Sequence, residues 1–158
     1  MLVIMSYVKR FDRAFIEFAK RHYQWVARIS LFIIFFYFGF LKLIGMSPAD
    51  ELALGFATKM GMSAAAMELF YLLAVIECII GILMLLPKFT RFAILVMVVH
   101  MMLVSSPLIL YPEAVWRHAF VPNLDGQYII KNAALVALAL GLVAATNPLT
   151  RNPFTRKR

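Results

Sequence analysis

The chain has 158 residues, 63% of them apolar, a mean hydropathy of +0.85 and a formal net charge of +8. An ordinary soluble domain is nearer half apolar, and a fold of this length cannot hide so much apolar surface from water. That excludes a soluble globular protein and leaves a one-domain, all-helical integral membrane protein. The lone cysteine, Cys78, excludes an internal disulfide and a CxxC redox centre. The positive charge flanks the apolar runs on one side, so it is not the footprint of a nucleic-acid binder.

The chain opens with "YVKRFDRAFIEFAKRHYQWVARI", in which Val8, Phe11, Phe15, Phe18, His22 and Trp25 recur at three- and four-residue steps. The opposite face carries most of the charge. Residues 1–27 are therefore expected to form a basic amphipathic helix lying on the inner leaflet before turning into the first span. The competing reading is a plain cytoplasmic extension of the first helix. A cleaved signal peptide does not fit, because the charged region is too long and three more spans follow.

A hydrocarbon core about 30 Å thick takes about 20 helical residues to cross, and four runs qualify, at about residues 28–45, 65–86, 89–110 and 127–146. In lipid their backbone polar groups are satisfied only as helices. After the first span, "SPADELALGFATKMG" offers Ser47 as N-cap, Pro48 at the first helical position, Asp50 beyond it and Gly61 as the stop. A short helix along the outer surface is expected there. Pro107 should kink the end of the third span and free a carbonyl. The next loop places Tyr111, Trp116 and Tyr128 where an aromatic belt belongs, with Asp125 capping the fourth span. Residues 147–158 form a basic tail.

Twelve of the sixteen Lys and Arg residues fall before the first span, between the second and third, and in the tail. The positive-inside rule then puts both termini in the cytoplasm.

Each span contains an ionisable group that lipid should reject: Lys42, Glu77, His100 and Lys131, the last followed by Asn132. Such groups face the bundle interior and find partners. At 1.5 Å per residue, Lys42 lies about 21 Å past Arg28, Glu77 about 13 Å past Glu68, and Lys131 about 6 Å past Gln127, which gathers them in the middle and outer parts of the bundle. His100 reaches a similar middle depth. A single polar cluster opening outward and lined by aromatics is the expectation. On the first helix Gly39, Lys42 and Gly45 share a side, where small residues let a neighbour approach. Gly81 shares the face of Glu77 with Phe70 and Ala74, and Tyr128 lines up with Lys131 on the fourth helix. The alternatives are that Lys42 and Lys131 snorkel to the outer interface, that Glu77 joins a purely structural pair, and that His100 is a hydrogen-bonded core residue. Cys78 reads as a small buried filler. Glu113, His118 and Asp125 do not have a diagnostic metal-ligand spacing, and no metal is expected.

Three functions suit such a constellation. A quinone head group needs hydrogen-bond partners, proton carriers and apolar walls, and His100, Glu77, Lys42 and the abundant Phe and Tyr supply these types. The sequence offers no cysteine pair, flavin fingerprint or second intramembrane histidine unless His22 reaches in, so electrons would come from a partner subunit. A structural or assembly subunit would use the cluster to fix helix register. A small transporter is the third reading, though the inverted repeats with broken helices common in transporters are not visible.

The segments "FFYFGFLKL", "ECIIGILMLLP" and "GQYIIKNAALVALAL", in that order and spacing, resemble the DoxX-like family of small four-span membrane proteins, over about residues 28–146. The resemblance implies a four-helix bundle in a bacterial or archaeal plasma membrane. Some relatives are subunits of a thiosulfate:quinone oxidoreductase, others belong with membrane oxidoreductase complexes in oxidative stress, and many have no assigned activity. It carries over Lys42, Glu77 and Lys131 with Asn132, but not His100. The combined expectation is an accessory or quinone-contacting subunit with no intrinsic cofactor, a lipid quinone as its ligand, and partners among membrane lipids, other subunits or further copies of itself.

Overall fold

The computed structural model describes residues 2–146; the basic tail expected beyond lies outside the described residues. Four helices are long and apolar enough to cross a membrane. The first, α1 (Leu2–Leu43), has 42 residues, about 63 Å at 1.5 Å per residue and about twice a bilayer core. The expected turn between the amphipathic segment and the first span does not form. Neither proline nor glycine occurs between residues 2 and 38, so nothing interrupts the hydrogen-bond ladder.

Glycine ends α1. Gly45 adopts φ +68°, with Gly45 N–H bonded to the Lys42 carbonyl at 3.2 Å and Met46 N–H to that of Leu41 at 2.9 Å. This paired closure satisfies the last carbonyls of the helix. Helix α2 (Asp50–Lys59) ends the same way at Gly61, φ +76°, with Met62 N–H on the Ala57 carbonyl. Its start falls later than Ser47 and Pro48 suggested, because the Ser47 hydroxyl accepts from Ala49 N–H, closing a turn ahead of the helix.

The second span, α3 (Ala66–Met84), is followed by a tight turn at Pro87–Phe89 and by α4 (Thr90–Ser105). Pro107 then opens a short helix, α5 (Pro107–Leu110). The proline lacks the N–H that would have met the Leu103 carbonyl. Ser106 takes that carbonyl instead, through its hydroxyl at 2.6 Å and its N–H at 3.1 Å. Helix α6 (Pro112–Val115) leads into a two-stranded antiparallel hairpin, β1 (Trp116–His118) and β2 (Val121–Pro122), which the sequence pattern had not suggested. The fourth span, α7 (Leu124–Ala144), is capped by Asn123, whose side chain accepts from Gly126 N–H at 3.0 Å. Asp125, the expected cap, sits inside the first turn.

Helix α1 packs most extensively on α3, α3 on α4, α4 on α7, and α7 back on α1. This closed ring is a four-helix bundle. Ala27, Leu31 and Phe35 of α1 recur at four-residue steps into its core, against Ile80 and Met84 of α3, Met97 of α4 and Leu142 of α7. Phe92, Leu95, Val99 and Met102 of α4 point outward, as on a lipid-facing surface. Because successive spans run antiparallel, α2 and the hairpin share one end of the bundle. The long N-terminal part of α1 leaves from the other.

Candidate functional site

The site is built on the close approach of α1 and α3. Gly39 lies so near α3 that a Cβ there would come within 2.8 Å of the Ala74 carbonyl and 2.9 Å of Glu77 Cβ. Gly81 is pressed as tightly on Phe36, 2.7 Å from its backbone nitrogen by the same measure. Small residues at such contacts let two helix backbones meet without lost packing. Gly45, expected to share in this packing, does not: it is the αL terminator of α1, with no atom within 4 Å of where a Cβ would stand.

One turn beyond Gly39, Lys42 reaches across to α3. Its ammonium donates to both carboxylate oxygens of Glu77, at 2.5 Å each. The Nε2 of His100, on α4, lies 3.0 Å from Glu77 Oε1. Three helices thus meet at one carboxylate. The side chains of Lys42, Glu77 and His100 are 14%, 8% and 2% exposed, so Lys42 is the end nearest the surroundings. Taking an ammonium and a carboxylate out of water is expensive and is repaid only by close geometry and further hydrogen bonds. The pair supplies the first and His100 the second.

The geometry also sets the imidazole's role. To donate to the Glu77 carboxylate, Nε2 carries the proton. In the neutral ring Nδ1 is then an acceptor. That Nδ1 is buried with no hydrogen-bond partner among the described residues. Phe35 of α1 meets the ring edge-on, centroids 6.2 Å apart. Cys78 is half-buried beside the pair, its sulfur 3.8 Å from the Phe36 carbonyl.

Lys131 does not join the cluster. It is exposed, and its ammonium lies 5.1 Å from the centroid of Tyr128, one turn nearer the start of α7. Tyr128 is exposed and Asn132 half-buried. The reason is helical phase. Ile129 is buried toward the bundle, and a residue two positions on points nearly the opposite way. The snorkelling alternative describes Lys131.

Two polar side chains outside the predicted cluster anchor the other end of the bundle. Arg28, a flanking charge by its place ahead of the first span, is buried and donates from Nη1 to the Met84 carbonyl at 3.0 Å. A cation at the carbonyl end of a helix is favoured by its dipole. The signal was present, since the antiparallel first and second spans bring Arg28 beside the end of α3. Tyr23 donates to the Leu138 carbonyl of α7 at 3.3 Å, over Gly141, where a side chain would have no room.

At the loop end Lys59 of α2 pairs with Glu113 of α6 and lies over the Tyr111 ring, 4.9 Å from its centroid. The Lys59 hydrogen bond holds the Glu113 carboxyl below its ordinary pKa. Glu113 is thus engaged with a lysine, and no group of three His, Cys, Asp or Glu side chains able to hold a metal gathers among the described residues.

The fold and the site define a four-span helical membrane protein with an ammonium, a carboxylate and an imidazole gathered inside its bundle. Residues 24–107 match the DoxX family, and the chain belongs to it. The match contains Lys42, Glu77 and His100 and stops before α7, so Tyr128, Lys131 and Asn132 lie beyond it. No curated protein and no solved structure matches the chain.

Proposed function

We propose that this DoxX-family protein is an accessory subunit of a membrane oxidoreductase complex that contacts a lipid quinone through Lys42, Glu77 and His100. The reading rests on one observation: an ammonium, a carboxylate and an imidazole from three helices in a continuous line of contacts. Lys42 is the donor nearest the surroundings, suited to a quinone carbonyl, and in the neutral ring the Nδ1 of His100, without a partner among the described residues, is an acceptor suited to a quinol hydroxyl. Phe35 is the apolar wall beside it. These types fit a quinone head group, which takes donors at its carbonyls and apolar contact on its ring. A quinone, when bound, exchanges electrons and protons; the trio would orient the head group and hold or pass a proton, with electrons coming from a partner subunit. The distribution of Lys and Arg favours both termini inside, and membership of the DoxX family supports a plasma membrane location.

A second reading is a purely structural or assembly subunit. It is favoured by how completely the trio is enclosed and by its joining of α1, α3 and α4. Glu77→Gln and Lys42→Met, made in the assembled complex, separate the two. Loss of quinone-dependent turnover with normal assembly is expected for quinone contact. Turnover that survives both changes ends that reading, and loss of assembly itself favours the structural one. Solute flux in liposomes holding this chain alone would replace both with a transporter.

A further inference from the structure

One face of α7 changes character along its length. Leu142, Leu138, Leu135, Lys131, Tyr128 and Leu124 follow one another at steps of four and three, so they share a side of the helix. Leu142 is 1% exposed, Leu138 and Leu135 are half-buried, and Lys131, Tyr128 and Leu124 are exposed. Helix α1 shows the same gradient on the side toward α7. Ala27 and Leu31 are buried in the core with Leu142, Ile34 is half-buried, and Phe38, next in that series, is 46% exposed. The two helices are joined where Tyr23 reaches the Leu138 carbonyl over Gly141. Toward the loop end neither covers the continuing face of the other.

We propose that the wedge left between α1 and α7 seats an anionic phospholipid of the leaflet at the loop end. Its phosphate meets the Lys131 ammonium, and an acyl chain lies against Phe38 and Leu135.

The lysine chooses the occupant. Lys131 lies seven residues past the first residue of α7, about 10 Å at 1.5 Å per residue. At that depth an ammonium facing hydrocarbon must find an anion or climb to the headgroups. Among the described residues no carboxylate pairs with it. Asp125, the acid on its own helix, is six positions back and so a third of a turn away. The ammonium instead lies 5.1 Å from the ring centroid of Tyr128, one turn nearer the start of α7. That lifts the charge toward the level of lipid phosphates. A carboxylate on a neighbouring helix would draw it sideways. Tyr128 is itself the amphipathic type of ring that sits at this level. Deeper in the wedge Phe38 and Leu135 offer only apolar surface, which suits a hydrocarbon chain.

The full chain in lipid nanodiscs tests this. With Trp25 and Trp116 changed to phenylalanine, Phe38→Trp reports the wedge. Val99→Trp, on the outward side of α4, reports ordinary bilayer contact. Brominated phosphatidylglycerol should quench Phe38→Trp more strongly than brominated phosphatidylcholine at the same mole fraction, and Val99→Trp should show no preference. Native mass spectrometry of the chain with its tryptophans intact should find phosphatidylglycerol carried through mild detergent. Lys131→Met should lower both readings about fivefold, the worth of one lysine beside an anionic headgroup. Lys131→Arg should keep them, and so should Lys59→Met, which removes a loop-end lysine outside the wedge. Equal quenching by the two headgroups at position 38, or retention untouched by Lys131→Met, overturns the proposal. A disulfide-linked dimer of Lys131→Cys in native membranes, in a Cys78→Ala background, would also overturn it by seating a second copy on this face. The lipid site does not rest on quinone contact, since Glu77→Gln should leave the headgroup preference unchanged.

Discussion

Lys42 and Glu77, 35 residues apart in the chain, face each other across α1 and α3 with the lysine ammonium 2.5 Å from both carboxylate oxygens. The contact exists because Gly39, one turn away, lets α1 settle onto α3 against the Ala74 carbonyl and Glu77 Cβ. His100 then completes the carboxylate's surroundings from a third helix.

Breaking this pair from one side should be worse than removing it. Lys42→Met leaves the buried Glu77 carboxylate with His100 as its remaining partner, a loss of up to about 3–5 kcal/mol, whereas exchanging both partners of the ion pair for apolar groups of similar volume is often close to neutral. The expected outcome is a marked drop in the thermal midpoint in detergent for Lys42→Met and for Glu77→Leu, and partial recovery in the double variant. Lys131→Met, outside the cluster, should leave the midpoint nearly unchanged. Additive losses in the double variant would show that the two side chains do not depend on each other.

Gly39 and Gly45 should respond oppositely to asparagine. At Gly45 the requirement is a positive φ, which asparagine tolerates, so Gly45→Asn should be nearly neutral while Gly45→Val costs about 1–2 kcal/mol. At Gly39 the requirement is space. Gly39→Asn must push α1 off α3 and should cost at least the 1–3 kcal/mol typical of overpacking. Thermal unfolding of the three variants side by side reads this directly.

The cap of α7 provides a third test. Asn123 accepts from Gly126 N–H and also donates to the Ala114 carbonyl at 2.6 Å. Asn123→Ala should lose about 1 kcal/mol from the cap alone, and more with the second bond. Asp125→Ala gives up only a favourable charge in the first turn, about 0.3–1 kcal/mol. Chemical denaturation should therefore rank Asn123→Ala as the more damaging change.

The clasp between α2 and α6 should loosen in acid. The Glu113 carboxyl is held below its ordinary pKa first by the Lys59 hydrogen bond. A depressed carboxylate pKa gives stability that is fully present above the unfolded value, about 4.3, and is lost as pH falls through the folded value. Emission from Trp116, next to α6, should stay flat above that range and change below it in a Trp25→Phe background. Glu113→Gln should abolish the acid step, and high salt should weaken the clasp at neutral pH because the pair is exposed.

Much of this fold can be read from the sequence. Span lengths follow from the distance across a bilayer. The helix end at Gly61 follows from the one residue that takes a positive φ freely, whereas Gly45, which the spacing places among the packing glycines, ends α1 for the same reason. The break before Pro107 follows from its missing N–H. The starts of α2 and α7 were harder to read, because Ser47 and Asp125 are chemically good caps and only the path of the preceding loop decides that Ala49 and Asn123 hold those positions. The hairpin after α6 was not legible, since strands of two and three residues leave no periodicity to detect.

Sequence alone determined that four spans exist, that each carries an ionisable group, and that the first part of α1 is amphipathic. Those properties belong to single helices, and the spacing of residues along a helix is enough to reveal them. Only the tertiary structure decided which charges meet. The rotation of each helix about its axis depends on what its neighbours bury. Gly39 and Gly81 turn Lys42 and Glu77 toward each other, while the burial of Ile129 turns Lys131 outward.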